Sequence, residues 1–124
     1  MTIKVTVIRT GEVLAAGDNY DFNLTLTKDG ATYDLTGFTI TADIYAVGVD
    51  AAILTGLTVT IVTASTGITK LTLSKANSAL LSQPAENDFI GTVEHIADIK
   101  VVESGTVEVH CGPFSFPVRR KITA

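Results

Sequence analysis

A chain of 124 residues, 46% hydrophobic and 18% charged, has the length and apolar content of one globular domain rather than of a disordered polypeptide. Its formal net charge is −4, and residues 1–117 hold six Lys and Arg against 13 Asp and Glu, so this acidic body disfavours nucleic-acid phosphates. No apolar run approaches the roughly 18 residues that cross a bilayer, and the alternating N-terminus lacks a signal-peptide core. We therefore expect no nucleic acid and no membrane as partner, and assembly in a cytoplasm.

Strands in the first half are predicted by threonines that alternate with Ile, Val and Leu, the pattern of a half-buried strand. The clearest stretch is residues 20–27, where aromatic and leucine residues occupy every second position. Further strands are expected at residues 2–9 and 38–44, with a short edge strand at residues 33–37, whereas residues 13–16 form a short apolar piece between glycine-rich breaks. Lys28-Asp29-Gly30 predicts a tight turn, because Asp tolerates and Gly supplies the positive φ that a hairpin needs.

The second half continues the pattern, with strands expected at residues 57–62, 68–73, 89–95 and 99–111, the last with a bulge or turn at Ser104-Gly105. Ser74 can cap a helix of at most two turns that ends before Pro84. Seven or eight short strands with frequent turn residues predict an antiparallel β-sandwich, and the helix would plug one end. We assign the sandwich to residues 1–117, and a short basic tail to residues 118–124.

Three stretches of this chain resemble the immunoglobulin-like domain at the N-terminus of phage baseplate upper proteins and in related small tailed-phage proteins. They are Tyr20-Asp21-Phe22-Asn23-Leu24 after Gly17-Asp18, Lys28-Asp29-Gly30 followed by residues 33–44, and residues 59–67 followed by Leu71-Thr72-Leu73-Ser74. The resemblance implies an all-β fold: an immunoglobulin-like antiparallel β-sandwich of seven to eight strands with one short capping helix.

The same resemblance implies a non-enzymatic structural protein of a tailed-phage virion, an adaptor at the tail, baseplate or fibre-attachment site. One alternative is a capsid decoration (cement) protein that clamps neighbouring capsid subunits. A second alternative is a soluble ligand-binding or adhesion module. The expected partners are other virion proteins, of the tail and baseplate or the major capsid protein, together with further copies of the chain in the assembly. No cofactor is expected.

Candidate chemical sites in the sequence have structural explanations beside the functional ones. His110 and Cys111 are adjacent, so on a strand they point to opposite faces and cannot easily share a metal ion, even with His95. Asp18 and Asp21 could bind an ion weakly with neighbouring Asn side chains, but Asx turn capping accounts for them as well. No Gly-x-Ser-x-Gly or glycine-rich phosphate loop is present, so we predict no enzyme.

Partner docking is predicted at the C-terminal segment. Phe114 and Phe116, flanked by prolines, could present two exposed aromatics, a composition typical of interfaces. Alternatively, they complete the last strand and pack in the domain's own core. Arg119, Arg120 and Lys121 could hook onto an acidic partner, or could form a frayed terminus. If the hook is correct, deletion of residues 118–124 should abolish assembly and spare the fold.

Overall fold

The computed structural model describes residues 3–8, 14–28, 30–84, 90–103, 108–111 and 113–120, with the backbone alone for residues 3–8. This part of the chain forms ten strands, one helical turn and a 3₁₀ turn at Ala64–Thr66. In chain order the elements are β1 (Ile3–Ile8), β2 (Leu14–Ala15), β3 (Tyr20–Lys28), β4 (Ala31–Thr32), β5 (Thr39–Ala46), β6 (Leu54–Thr63), β7 (Ile68–Leu73), α1 (Lys75–Ser78), β8 (Thr92–Val102), β9 (Glu108–His110) and β10 (Phe114–Arg119).

The strands form two sheets that share β6. One sheet has the order β1-β3-β7-β6, and the other has the order β6-β5-β8-β10-β2. Residues 54–58 of β6 pair with β5, whereas residues 59–63 pair with β7. All pairings are antiparallel except the short one between β10 and β2. The short strands β4 and β9 add to β3 and β8 respectively.

This strand order is that of an immunoglobulin-like sandwich, in which strands A, B, E and D form one sheet and C, F and G the other. Here β1, β3, β7 and the second half of β6 occupy the A, B, E and D positions, and β5, β8 and β10 occupy C, F and G. The predicted fold class is therefore confirmed.

The hydrophobic core lies between the two sheets and is built from alternate residues of the long strands. In β5, for example, Ile40, Ala42, Ile44 and Ala46 are buried and the residues between them are more exposed. Phe22 in β3 is fully buried, and its ring centroid lies 4.9 Å from that of Phe116 in β10. Because burying a large apolar side chain contributes roughly 1.5–3 kcal/mol, this alternation is the main source of stability.

One end of the sandwich is closed by α1, as the sequence predicts. The Ser74 side chain caps the helix by accepting a hydrogen bond from the Asn77 backbone N–H at 3.1 Å. The Ser78 hydroxyl donates to the Asp18 carbonyl oxygen at 2.6 Å, which fixes the helix to the turn before β3. The ends of β5, β7 and β10 and the starts of β3 and β8 meet here, and we call this the α1 end.

The prediction of separate strands at residues 89–95 and 99–111 is wrong. A single strand, β8, runs continuously from Thr92 to Val102 and is paired on both sides, with β5 and with β10. Ala97 occupies an inward position in the middle of β8, and its small side chain fits the core where the sequence suggested an interruption. The chain then returns as β9, and Ser104-Gly105 lies outside the described residues.

The predicted strand at residues 33–37 is also wrong. The strand that follows the turn after β3 is the short β4, in which Ala31 pairs with Lys28; Gly30 in the turn has φ +77°. Asp29 lies outside the described residues. Residues 33–37 form an irregular connection that buries Tyr33 and Leu35 against the core. Asp34 makes an Asx-type turn there, because its carboxylate accepts from the backbone N–H of Thr36.

Candidate docking surface

Phe114 and Phe116, the aromatics proposed for docking, lie in the core of the domain. Both alternate in β10 with exposed or half-exposed residues, and both side chains are buried. Their ring centroids lie 5.5 Å and 4.9 Å from that of Phe22 on the opposite sheet. The expectation that they are exposed is therefore wrong, because the inward phase of β10 takes them into the space between the sheets.

The predicted boundary after Pro117 is wrong as well, because β10 continues to Arg119. Val118 is fully buried and pairs with Val93 of β8 and with Leu14 of β2. Arg119 and Arg120 are half-buried at the α1 end, and the Arg119 guanidinium donates to the Arg120 carbonyl oxygen at 3.2 Å. Lys121 lies outside the described residues. Deletion from residue 118 onwards would therefore remove part of the core.

His110 and Cys111 are neighbours in the chain but lie in different surroundings. Cys111 is buried, and burial raises the pKa of its thiol to about 12, with the charge of Asp98 adding to the shift. His110 is exposed, and its Nδ1 lies 3.3 Å from the Asp98 carboxylate. Among the described residues, no three His, Cys, Asp or Glu side chains lie where they could hold a metal ion together.

The acidic cluster near the start of β3 contributes hydrogen bonds to the fold. The Asp21 carboxylate accepts from the hydroxyl of Thr72, its cross-strand neighbour in β7, at 2.7 Å. The carbonyl oxygen of Asp18 is the acceptor for Ser78 described above. Both residues thus stabilise the junction between β3, β7 and α1.

Tyr33 and Glu103 join two segments at the end of the sandwich opposite α1. The Tyr33 hydroxyl donates a hydrogen bond to the Glu103 carboxylate, and the Lys28 ammonium lies 5.5 Å from the Tyr33 ring centroid. Burial raises the pKa of the Tyr33 phenol, and the hydrogen bond to Glu103 raises it further. This group fastens the irregular segment after β4 to the end of β8.

His95 is a residue whose importance sequence analysis missed. It is fully buried, and its ring stacks on Phe116 with centroids 5.6 Å apart and an interplanar angle of 20°. Its Nε2 lies 3.0 Å from the backbone N of Ser82, and its Nδ1 lies 3.0 Å from the carbonyl oxygen of Val93. Burial lowers the pKa of this imidazole.

Exposed apolar side chains are concentrated at the α1 end. Val47 and Val49 are 54% and 51% exposed, Leu80 is 62% exposed and Ile90 is 96% exposed. Val47 and Val49 flank Gly48, which has φ +86°, in a turn closed by a hydrogen bond from the Val49 N–H to the Ala46 carbonyl oxygen. We call these four residues, with Arg119 and Arg120, the α1-end surface.

Secondary structure places these residues together at one end. The Val47 backbone N–H donates to the Glu94 carbonyl oxygen at 2.9 Å, so the β5–β6 turn lies beside the start of β8. Ile90 lies two residues before Thr92, the first residue of β8, and Arg119 pairs with Thr92. Leu80 follows α1, and the backbone N–H of Ser82, two residues later, donates a hydrogen bond to His95 of β8. Large exposed apolar side chains brought together in this way are typical of interaction sites.

The strand order and the sandwich core define the chain as an immunoglobulin-like β-sandwich domain. Its sequence matches no family model and no curated protein. No helix among the described residues is long and apolar enough to cross a membrane.

Three solved structures are similar to this chain in part. An endo-β-1,4-mannanase from Thermotoga petrophila is 10% identical, with a TM-score of 0.49, over 98% of this chain and 20% of the mannanase. A chimeric titin Z1Z2 with an exogenous peptide from decorin is 13% identical, with a TM-score of 0.38, over 98% of this chain and 49% of that one. ACE19, the collagen-binding subdomain of the Enterococcus faecalis surface protein ACE, is 11% identical, with a TM-score of 0.23, over 95% of this chain and 96% of ACE19. At these TM-scores none of the three bears on what this chain binds.

Proposed function

We propose that this chain is a non-enzymatic structural module of a tailed-phage virion that serves as an adaptor at the tail, baseplate or fibre-attachment site. It assembles in the host cytoplasm and leaves the cell within the particle. Its partners are other virion proteins, and further copies of the chain take part in the assembly. It docks through the α1-end surface.

The observation on which this proposal rests is the exposure of Val47, Val49, Leu80 and Ile90 at a single end of the sandwich. Fully burying a Val, Leu or Ile side chain against a partner contributes roughly 1.5–3 kcal/mol. Two or three such contacts are comparable to the central cluster of an ordinary interface. Arg119 and Arg120 at the margin add the residue type that interfaces favour beside apolar anchors.

The internal roles of the reactive side chains support a structural rather than a chemical function. Cys111 is buried with a thiol pKa near 12, so its nucleophilic thiolate is scarce at neutral pH. His95 accepts a hydrogen bond from the backbone of Ser82 inside the core. The Tyr33 hydroxyl is bonded to Glu103. Each of these groups stabilises the domain that presents the docking surface.

Immunogold electron microscopy of purified phage particles, with an antibody against this chain, tests the proposal. Label at the tail tip or baseplate is the expected result. Label over the head would replace the adaptor by a capsid decoration protein. Particles without label, intact or opened, would exclude a virion component and leave a ligand-binding module as the alternative.

A further inference from the structure

The hydrogen bonds of His95 define the protonation state that the fold requires. The Ser82 backbone N–H can only donate, so the Nε2 atom 3.0 Å away must be an unprotonated acceptor. The proton of the neutral imidazole is then on Nδ1, from which it is donated to the Val93 carbonyl oxygen at 3.0 Å. A second proton on Nε2 would remove the acceptor and set two N–H groups against each other.

The segment held by this hydrogen bond is the connection from α1 to β8. Residues 79–84 are fastened at the α1 side by the hydrogen bond between Ser78 and the Asp18 carbonyl oxygen, and further along by the bond between Ser82 and His95. Leu80 lies between these two attachments with its side chain 62% exposed, whereas Leu81 is buried. The Leu80 and Leu81 N–H groups also donate to the Asn77 and Ser78 carbonyl oxygens, so loss of the bond from Ser82 would remove the attachment to β8 that lies just after Leu80 in the α1-end surface.

The surroundings of His95 oppose a positive charge. On its own strand, Glu94 is the charged neighbour that favours protonation, and its effect is smaller than that of burial. In β5, Asp43 and Tyr45 alternate with buried residues and face outwards, as does Arg119 in β10. Lys75 of α1 is exposed. Among the described residues, therefore, no carboxylate forms an ion pair with the His95 imidazole. Glu86 and Asp88 lie in residues 85–89, which are not among the described residues.

We propose that His95 is an acid-sensitive latch, by which we mean that a proton on Nε2 releases Ser82 and detaches residues 79–84 from β8. The release itself is a property of the isolated domain. Its consequence, a change in the α1-end surface that weakens docking in acid, rests on the proposed function.

The test is an NMR titration of the isolated chain that follows the His95 imidazole nitrogens and the Ser82 amide together. The expected result is one common midpoint, below the ordinary His value of 6.5. At that midpoint the Ser82 amide signal should move to the position of a solvent-exposed amide and the resonances of residues 79–84 should shift with it. A Ser82 amide that keeps its position while His95 titrates would overturn the latch.

Two variants separate His95 from other titrating groups. His95→Gln keeps an acceptor oxygen near the Nε2 position and cannot be protonated, so the Ser82 transition should disappear. His110→Gln removes the exposed imidazole beside Asp98 and should leave the transition unchanged. A transition that persists in His95→Gln would refute the proposal, and the titration of the unmodified chain decides the matter if that variant does not fold. Because these readouts need no partner, failure of the latch is distinct from failure of the virion assignment.

Discussion

Gly67 is a residue at which backbone geometry demands glycine. It has φ +72° at the end of the 3₁₀ turn, and its carbonyl oxygen accepts from the Leu26 N–H at 2.9 Å. An added Cβ would collide with the Leu26 carbonyl oxygen and lie 3.0 Å from the Tyr33 carbonyl oxygen. We predict that Gly67→Ala lowers the free energy of unfolding by about 3 kcal/mol, from left-handed strain and the collision together.

Gly48→Ala is the matched control for that substitution. Gly48 has φ +86°, but nothing lies within 4 Å of an added Cβ. The control should cost only the conformational strain, about 1 kcal/mol. Urea denaturation of both variants measures the difference, and equal losses would show that the close approach at Gly67 has no energetic weight.

His95 also predicts how stability depends on pH. Burial lowers the pKa of the folded-state imidazole below its ordinary value of 6.5, so the unfolded chain binds a proton more readily than the folded chain. The free energy of unfolding should therefore fall as pH falls below about 6.5, down to the folded-state pKa. Urea denaturation between pH 7.5 and 5.5 should show this loss in the unmodified protein and a smaller one in His95→Gln. Equal slopes in the two proteins would contradict it.

The three residues His95, His110 and Cys111 differ in how far local sequence predicts their surroundings. Strand alternation alone predicts that His110 and Cys111 differ in their surroundings, and the structure has His110 exposed and Cys111 buried. The role of His95 could not be predicted, because its partners are the Ser82 backbone and the Phe116 ring, both distant in sequence. A histidine between Glu94 and Ile96 has no local signal that distinguishes a buried position from an exposed one.

At the scale of single elements, β10 yields a sharp prediction. Val118 is fully buried at a position between β8 and β2. Val118→Ala should lower the free energy of unfolding by about 2 kcal/mol, because it removes buried methyl groups and leaves a cavity. Ser115→Ala, at an exposed position of the same strand, should change it by less than about 0.5 kcal/mol. A harmless Val118→Ala in chemical denaturation would mean that β10 ends at Pro117 after all.

The elements differ in how well the sequence predicts them. Alternation locates β3, β5 and β7 to within two residues, because each has one face in the core and one outside. It fails at β8, where Ala97 interrupts the series of large inward residues, and at β10, where Pro117 suggests a strand end. A proline in this strand is tolerated because it sits near the sheet edge. The extents of β8 and β10 are set by pairing with strands distant in sequence, rather than by the strand preference of their own residues.

At the scale of the whole molecule, docking through the α1-end surface can be tested by adding charge. Val49→Asp and Leu80→Asp each place a carboxylate on this surface at an exposed position. We expect either variant to lower incorporation into particles by about tenfold or more, since burying an unpaired charge costs several kcal/mol, while thermal stability stays within experimental error. The measurement is quantitative immunoblotting of purified particles.

Val62→Asp provides the control for these substitutions. Val62 is 58% exposed but lies in the part of β6 that pairs with β7, towards the opposite end of the sandwich. It should be incorporated as well as the unmodified chain. Equal loss in all three variants would indicate a general effect of added charge and would remove the assignment of docking to the α1 end.

The overall architecture was predictable from the sequence, and the proposed docking surface was not. Strand number, turn spacing and the short capped helix suffice to predict an antiparallel β-sandwich, and the resemblance to a known domain added that it is immunoglobulin-like. The exposed apolar residues come from two separate connections, β5–β6 at residues 47–49 and α1–β8 at residues 80 and 90, and these meet only in the folded chain. The sequence instead directed attention to Phe114 and Phe116, whose composition resembles an interface but whose strand phase buries them.

The strand shared by the two sheets has a mechanical consequence. Because β6 is hydrogen-bonded to β5 in its first half and to β7 in its second, neither sheet can shear past the other without rupturing at least one of these ladders. Amides in β3 and β8, on different sheets, should therefore exchange with solvent at the same opening free energy. Earlier opening of either sheet would show that they yield separately. If such a domain connects two larger proteins, both of its sheets should bear an applied force together and unfold in a single step.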